Sequence, residues 1–148
     1  MSKKIALSAS IAGLYVALVL AFSPVSFGPV QLRVAEALTL LPVLWAEAVP
    51  GLFVGCAISN FFGGFGIVDV AFGGGATLLS ALLTRRMPNL ALAALPPVII
   101  NGLVVGGYLS YLLSLPFIPT LLYVSTGEAI ACFGLGIPLV LALRKSRL

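Results

Sequence analysis

The sequence predicts an all-α integral membrane protein, and three observations predict it. Of 148 residues, 61% are hydrophobic and only 8% charged, where a soluble domain carries about a quarter charged residues. A chain of 15.3 kDa leaves much of its area exposed however it folds, so this much apolar surface needs lipid. The charges also fall between long apolar tracts: none lies within residues 5–32, 48–68, 70–84, 87–127 or 129–143. Such near-continuous runs exclude a transmembrane barrel, whose strands of about ten residues alternate apolar and polar faces. Disorder is excluded too, because it needs low hydrophobicity and high charge.

Turn residues and charges divide the chain into six expected spans. The first covers residues 5–22 and ends where 23–29 supplies two prolines and a glycine. The second covers 31–45 and carries Arg33 and Glu36 in its first turns. The third opens near Pro50, a residue suited to a first helical turn, and ends in the breaker Gly63-Gly64-Phe65-Gly66. The fourth covers 68–83 and stops at Arg85-Arg86. The fifth lies within 89–115 and holds Pro96-Pro97, which either kinks the helix or starts it. The sixth covers 120–143, and no length remains for a second domain. The N-terminal MSKK and the apolar run after it lack a small-x-small cleavage site, so they read as a first span rather than a signal peptide.

Basic residues collect on the cytoplasmic side of membrane proteins. Six spans with both termini cytoplasmic place Lys3, Lys4, Arg85, Arg86, Arg144, Lys145 and Arg147 inside, leaving only Arg33 outside. The net charge of +4 is therefore a topology signal and gives no reason to invoke nucleic acid.

The chemistry available is narrow. There is no His, so His-based metal sites and triads are excluded, and no metal or cofactor is expected. Cys56 and Cys132 fall within spans and read as buried small hydrophobes. Gly73-Gly74-Gly75-Ala76-Thr77 lacks the Lys of a phosphate loop and reads as close helix packing. With no catalytic or ATP-binding motif, the chain is not expected to be an enzyme.

The remaining polar residues converge. Arg33, Glu36 and Asp69 stand at the outer ends of their helices. Glu128 lies about 12–14 Å into the sixth helix, at 1.5 Å per residue. Asn60 reaches the outer half as well, while the depth of Asn101 depends on where the fifth helix starts. Ionisable groups in a membrane are costly and face a cavity or a partner. One reading pairs them locally, Arg33 with Glu36 at i, i+3 and Asp69 as a helix cap. The other makes Arg33, Glu36, Asn60, Asp69, Asn101 and Glu128 an outward-facing binding pocket. Glu128, with no partner near it in sequence, favours the pocket. In the first helix, Ala9, Gly13, Ala17 and Ala21 form a stripe of small residues. It serves either packing within the chain or docking of another membrane protein.

The blocks ALSASIAGLYVAL, VQLRVAEALTLLP, AVPGLFVGCAISNFFGGFGIVDVAFGGGATLLSALLT, LPPVIINGLVVG and GEAIACFGLGIPL, in this order over nearly the whole chain, resemble the QueT family. These are substrate-binding S components of energy-coupling factor (ECF) transporters. The resemblance implies a six-helix S-component bundle in a prokaryotic plasma membrane that captures a queuosine precursor, a 7-deazaguanine. It implies as partners a transmembrane coupling subunit, contacted through Ala9, Gly13 and Ala17, and two ATPases. It also places the ligand near the outer face, beneath the loop 23–30, and implies toppling in the membrane to release it.

On that reading Glu128 accepts from the side-by-side N–H and amino groups of the base, a charge-assisted bidentate pairing. Glu36 or Asp69 meets the ammonium of the aminomethyl precursor, Asn60 and Asn101 read the carbonyl and ring nitrogen, and Arg33 steadies Glu36. Phe27, Phe61 or Phe62 stacks on the base or faces lipid. The main alternative is a stand-alone secondary transporter for a purine-like or vitamin ligand, proton-coupled through Glu128. A membrane enzyme and a ligand-free assembly protein are the remaining classes.

Overall fold

A computed structural model describes residues 2–27 and 32–146. Every regular element among them is helical. In chain order these are α1 (Ser2–Ala21), a single turn (Ser23–Ser26), α2 (Val34–Val43), α3 (Ala48–Phe62), α4 (Gly66–Thr84), α5 (Leu90–Leu112) and α6 (Phe117–Lys145). Gln31 and residues 28–30 of the expected outer loop, with Arg147 of the C-terminal basic cluster, lie outside the described residues.

Four helices, α1, α4, α5 and α6, are long and apolar enough to cross a membrane. The six expected spanning helices thus appear as four, with the second and third expected spans forming the shorter apolar helices α2 and α3. The physical reason is length. The ten residues of α2 wind as a 3-10 helix, and at about 2.0 Å per residue they reach about 20 Å. The fifteen residues of α3 reach about 22 Å. Both fall short of a hydrocarbon core of about 30 Å.

The breaks follow local chemistry. Gly64 and Gly66 take φ of +85° and +68° between α3 and α4, a left-handed backbone that a side chain would disfavour. Asn89 caps α5 by accepting from the backbone N–H of Leu92 at 2.9 Å. Pro96 and Pro97 sit in the first turn of the regular stretch Leu95–Leu112, after the short turn Leu90–Ala93. The proline pair therefore starts this stretch, and Asn101 lies midway along α5.

Close packing uses glycines four apart. A Cβ on Gly55 would meet the Cα of Ala12 at 3.1 Å, and one on Gly51 would meet the Ser8 carbonyl, so α3 lies directly against α1. Gly102 and Gly106 face Ser125 and Leu121 in the same way, joining α5 to α6. In the glycine run, Gly73 packs on Asn60 and Gly74 on Phe53, whereas nothing lies within 4 Å of a Cβ on Gly75. The main apolar core joins α1, α2 and α3 through Tyr15, Val19, Leu38, Leu41 and Leu52.

The burial pattern suits a lipid solvent. Phe61, Ile67, Phe72 and Leu103 are exposed, while Arg33, Glu36, Asn60, Asp69, Asn101 and Glu128 are buried. In water such an arrangement would expose the apolar groups and bury charge without return. In a bilayer the apolar groups meet lipid and the polar groups find one another.

Candidate functional site

The polar residues singled out in the sequence gather in two neighbouring clusters. The first lies where α2 and α4 begin and α3 and α5 end. Asp69, the fourth residue of α4, opens a π-helical stretch, Asp69–Gly73. Its Oδ1 accepts the phenol of Tyr108 from α5, and its Oδ2 lies 3.8 Å from Nη2 of Arg33. Asn60 donates to the Asp69 backbone carbonyl at 2.9 Å. The Arg33 guanidinium also stands over the Phe27 ring, 5.6 Å from its centroid, and Nε points at the Ser26 carbonyl at 3.4 Å. A Cβ on Gly63 would strike Phe27 at 2.6 Å and approach Asp69 Oδ2 at 3.1 Å. Glycine at position 63 thus leaves room for this ring beside the acid.

Neither expected local pairing forms. Arg33 bridges to Asp69 rather than to Glu36. Arg33, the extended residue that caps α2, stands on Phe27 and Asp69, and Glu36, in the first turn of α2, on Tyr15. Asp69 is not a helix cap, because Gly66–Val68 precede it in helical conformation and its carboxylate is taken by Tyr108 and Arg33. The ion pair of Arg33 is thus with Asp69.

The second cluster joins α1 to α2 and α5 to α6. Glu36 is 1% exposed, and its Oε1 accepts the phenol of Tyr15 from α1. Glu128, 5% exposed, accepts from Asn101 Nδ2 at 3.0 Å, pairing α6 with α5. The two acids are brought together by α2 and α6. Cys132, one turn beyond Glu128, contacts the Glu36 backbone carbonyl at 3.7 Å and Thr39 Oγ1 at 3.5 Å. A π-helical stretch, Ile130–Gly136, begins two residues after Glu128. Such irregular turns re-aim side chains and are frequent at functional sites.

All six polar site residues share one property. Arg33 Nη2, Glu36 Oε2, Asn60 Oδ1, Asp69 Oδ2, Asn101 Oδ1 and Glu128 Oε2 are each buried without a hydrogen bond. Among the described residues, the hydroxyls of Ser26 and Ser80 have the same character. Native proteins leave few buried polar atoms unpaired. Arg33 and Asp69 neutralise one another across 3.8 Å, whereas Glu36 and Glu128 are both acidic and each keeps a free oxygen. The arrangement therefore offers several acceptor oxygens that no hydrogen bond within the chain takes up, which suits a compact ligand rich in N–H donors.

Sequence reasoning missed Tyr15 and Tyr108, the phenols that hold Glu36 and Asp69. The available signal was a tyrosine within an apolar helix, since a buried phenol needs a polar partner. That signal is ambiguous, because Tyr111 and Tyr123 are exposed. Phe61 and Phe62 are exposed too and pack edge to face on each other, 5.6 Å between centroids, away from the site. Cys56 and Cys132 are free and buried, with Thr77 donating to Cys56 Sγ at 3.2 Å.

The stripe on α1 points outward. Ala9, Gly13, Ala17 and Ala21 are exposed, and a Cβ on Gly13 would meet nothing within 4 Å. Packing within the chain uses the opposite face, through Ile11, Ala12, Tyr15 and Val19.

The chain is 40% identical over 73 residues to the Queuosine precursor transporter QueT of Lactococcus lactis subsp. cremoris (strain MG1363). The aligned stretch covers 48% of this chain and 43% of that protein, so the match spans less than half the length of the relative. No solved structure matches. A family model described as QueT transporter matches residues 5–145, nearly the whole length, and the chain therefore belongs to the QueT transporter family.

Proposed function

We propose that this chain is the substrate-capture membrane subunit of an ECF-type importer. It binds a queuosine precursor, a 7-deazaguanine, from outside a prokaryotic cell and delivers it inward with a coupling subunit and two ATPases. The observation that carries the ligand reading is the pair of buried acids, Glu36 and Glu128, each with a free oxygen and with Arg33 already committed to Asp69. Glu128 Oε2, with Oε1 steadied by Asn101, accepts from the N–H and amino edge of the base. Glu36 Oε2 meets the ammonium of an aminomethyl side arm. The free carbonyl oxygens of Asn60 and Asn101 accept further N–H groups, and Arg33 with Asp69 and Phe27 closes the outer side. The family and the name of the lactococcal relative support the substrate class.

Two features support the assembly. The outward stripe Ala9, Gly13 and Ala17 is smooth enough for another helix to approach closely. The basic residues fall where both termini are cytoplasmic, which orients the six helical segments with the acids toward the outside. The test is saturable binding of labelled 7-aminomethyl-7-deazaguanine to the purified chain, followed by uptake into vesicles with and without the ATPase partners. Binding, with uptake only when the partners are present, is expected. Absence of binding overturns the ligand reading. Uptake by this chain alone, driven by a proton gradient, replaces the importer reading with the stand-alone transporter.

A further inference from the structure

We infer that Tyr15 is a positioning residue for the ligand site, acting through Glu36. The inference rests on the binding role just proposed for Glu36. Tyr15 is fully buried on the inner face of α1, and its phenol donates to Glu36 Oε1 on α2. The other oxygen, Oε2, has no hydrogen-bond partner. One oxygen is therefore held by the protein and the other is left for a donor from outside it.

The backbone makes the phenol a fixed point. A Cβ on Gly55 would lie 2.9 Å from Tyr15 Cβ, so α3 presses directly on the root of this side chain. Val19 and Leu52, both fully buried, belong to the same core. The carboxylate, by contrast, stands on a 3-10 helix, whose hydrogen bonding is poorer than that of an α-helix. Thr39 Oγ1 donates to the Glu36 backbone carbonyl at 2.6 Å and fixes the main chain. Among the described residues, Tyr15 is the hydrogen-bonding partner of the Glu36 side chain. Without the phenol, the carboxylate is free to rotate, and the ligand must order it on binding.

Tyr15 also separates two roles on one helix. Gly13 and Ala17, two residues to either side, lie on the outward face. Tyr15 faces inward between them, so α1 carries the proposed docking surface on one side and the support of a ligand-binding acid on the other.

The experiment is a double-mutant cycle on the purified full chain, with 7-aminomethyl-7-deazaguanine as probe. Tyr15→Phe keeps the ring and removes the donor. It is expected to weaken binding about tenfold, the cost of ordering one side chain. In the background of Glu36→Leu, which has no acceptor for the phenol, the same change is expected to alter binding less than threefold. A loss below threefold with Glu36 intact, or equal losses in both backgrounds, overturns the inference. A purely structural role for Tyr15 would give the equal losses. If Tyr15→Phe does not fold, 3-fluorotyrosine at position 15 strengthens the donor at nearly unchanged shape. It must then shift affinity with Glu36 intact and not with Glu36→Leu; no shift, or the same shift in both, overturns the inference. Wild-type chain that fails to bind the probe removes the reading on which Tyr15 depends and overturns the inference with it. Tight binding by Glu36→Gln overturns the role of Glu36, and of Tyr15 through it, without touching the substrate class.

Discussion

Replacing Glu128 by Gln exchanges one carboxyl oxygen for an NH2 group at nearly constant volume, and its effect can be worked from the contacts of the side chain. Oε1 accepts from Asn101 at 3.0 Å, and Oε2 is buried and unpartnered. The Gln carbonyl keeps the bond to Asn101, which leaves an NH2 where Oε2 stood. A ligand edge that presents two donors then meets a donor. The loss combines a hydrogen bond to a charged group, about 1.5–3 kcal/mol, with a ligand N–H left unpaired in a dry site, about 1–3 kcal/mol. A combined loss of about 3 kcal/mol corresponds to about 150-fold in affinity. Thermal unfolding of the purified protein measures it. With ligand at a hundred times the wild-type Kd, the wild type gains about 2.7 kcal/mol of stability, while a variant weakened about 150-fold gains about 0.3 kcal/mol. Without ligand, the variant should be at least as stable as the wild type, because an unpaired buried carboxylate oxygen is costly. Binding of the base within threefold of the wild type would refute the role of Glu128.

Other positions separate packing from function. On the importer proposal, Gly13→Leu should abolish co-purification with the proposed coupling subunit and leave ligand affinity and melting temperature unchanged, because a Cβ there meets open space; a fall in melting temperature would place the stripe inside the bundle. Gly55→Ala should destabilise the isolated chain by about 1–3 kcal/mol, read from denaturant unfolding in detergent, because its Cβ would overlap Tyr15 and Ala12. Asp69→Asn leaves the Arg33 charge buried without its partner and should cost about 3–5 kcal/mol. Adding Arg33→Met should recover most of that loss, and if the double variant is as unstable as Asp69→Asn, the ion pair is not the source.

Gly13 and Gly55 show why spacing alone does not assign a glycine. Ala9-xxx-Gly13, Gly51-xxx-Gly55 and Gly102-xxx-Gly106 are alike as sequence patterns. The last two bring helices together within the chain, and the first faces outward. Which face of a helix is covered depends on neighbours distant in sequence, and no local pattern records them. The same holds for the acids. Arg33 and Glu36 are three residues apart, yet each takes a partner from another helix.

Composition by itself determined the solvent of this protein. With 8% charged residues and apolar tracts between them, the chain had to place its helices in lipid, and its few buried polar groups had to meet. Since those groups are scarce and costly in a membrane, Arg33, Glu36, Asn60, Asp69, Asn101 and Glu128 could be singled out without knowing a single contact. Tertiary structure decided the rest. It set the lengths of α2 and α3, paired Arg33 with Asp69 and Glu128 with Asn101, and brought in Tyr15 and Tyr108 to hold two of the acids. Hydrophobicity sums over a segment and so survives in the linear sequence, whereas a hydrogen bond depends on direction and distance between helices. Only their packing sets these.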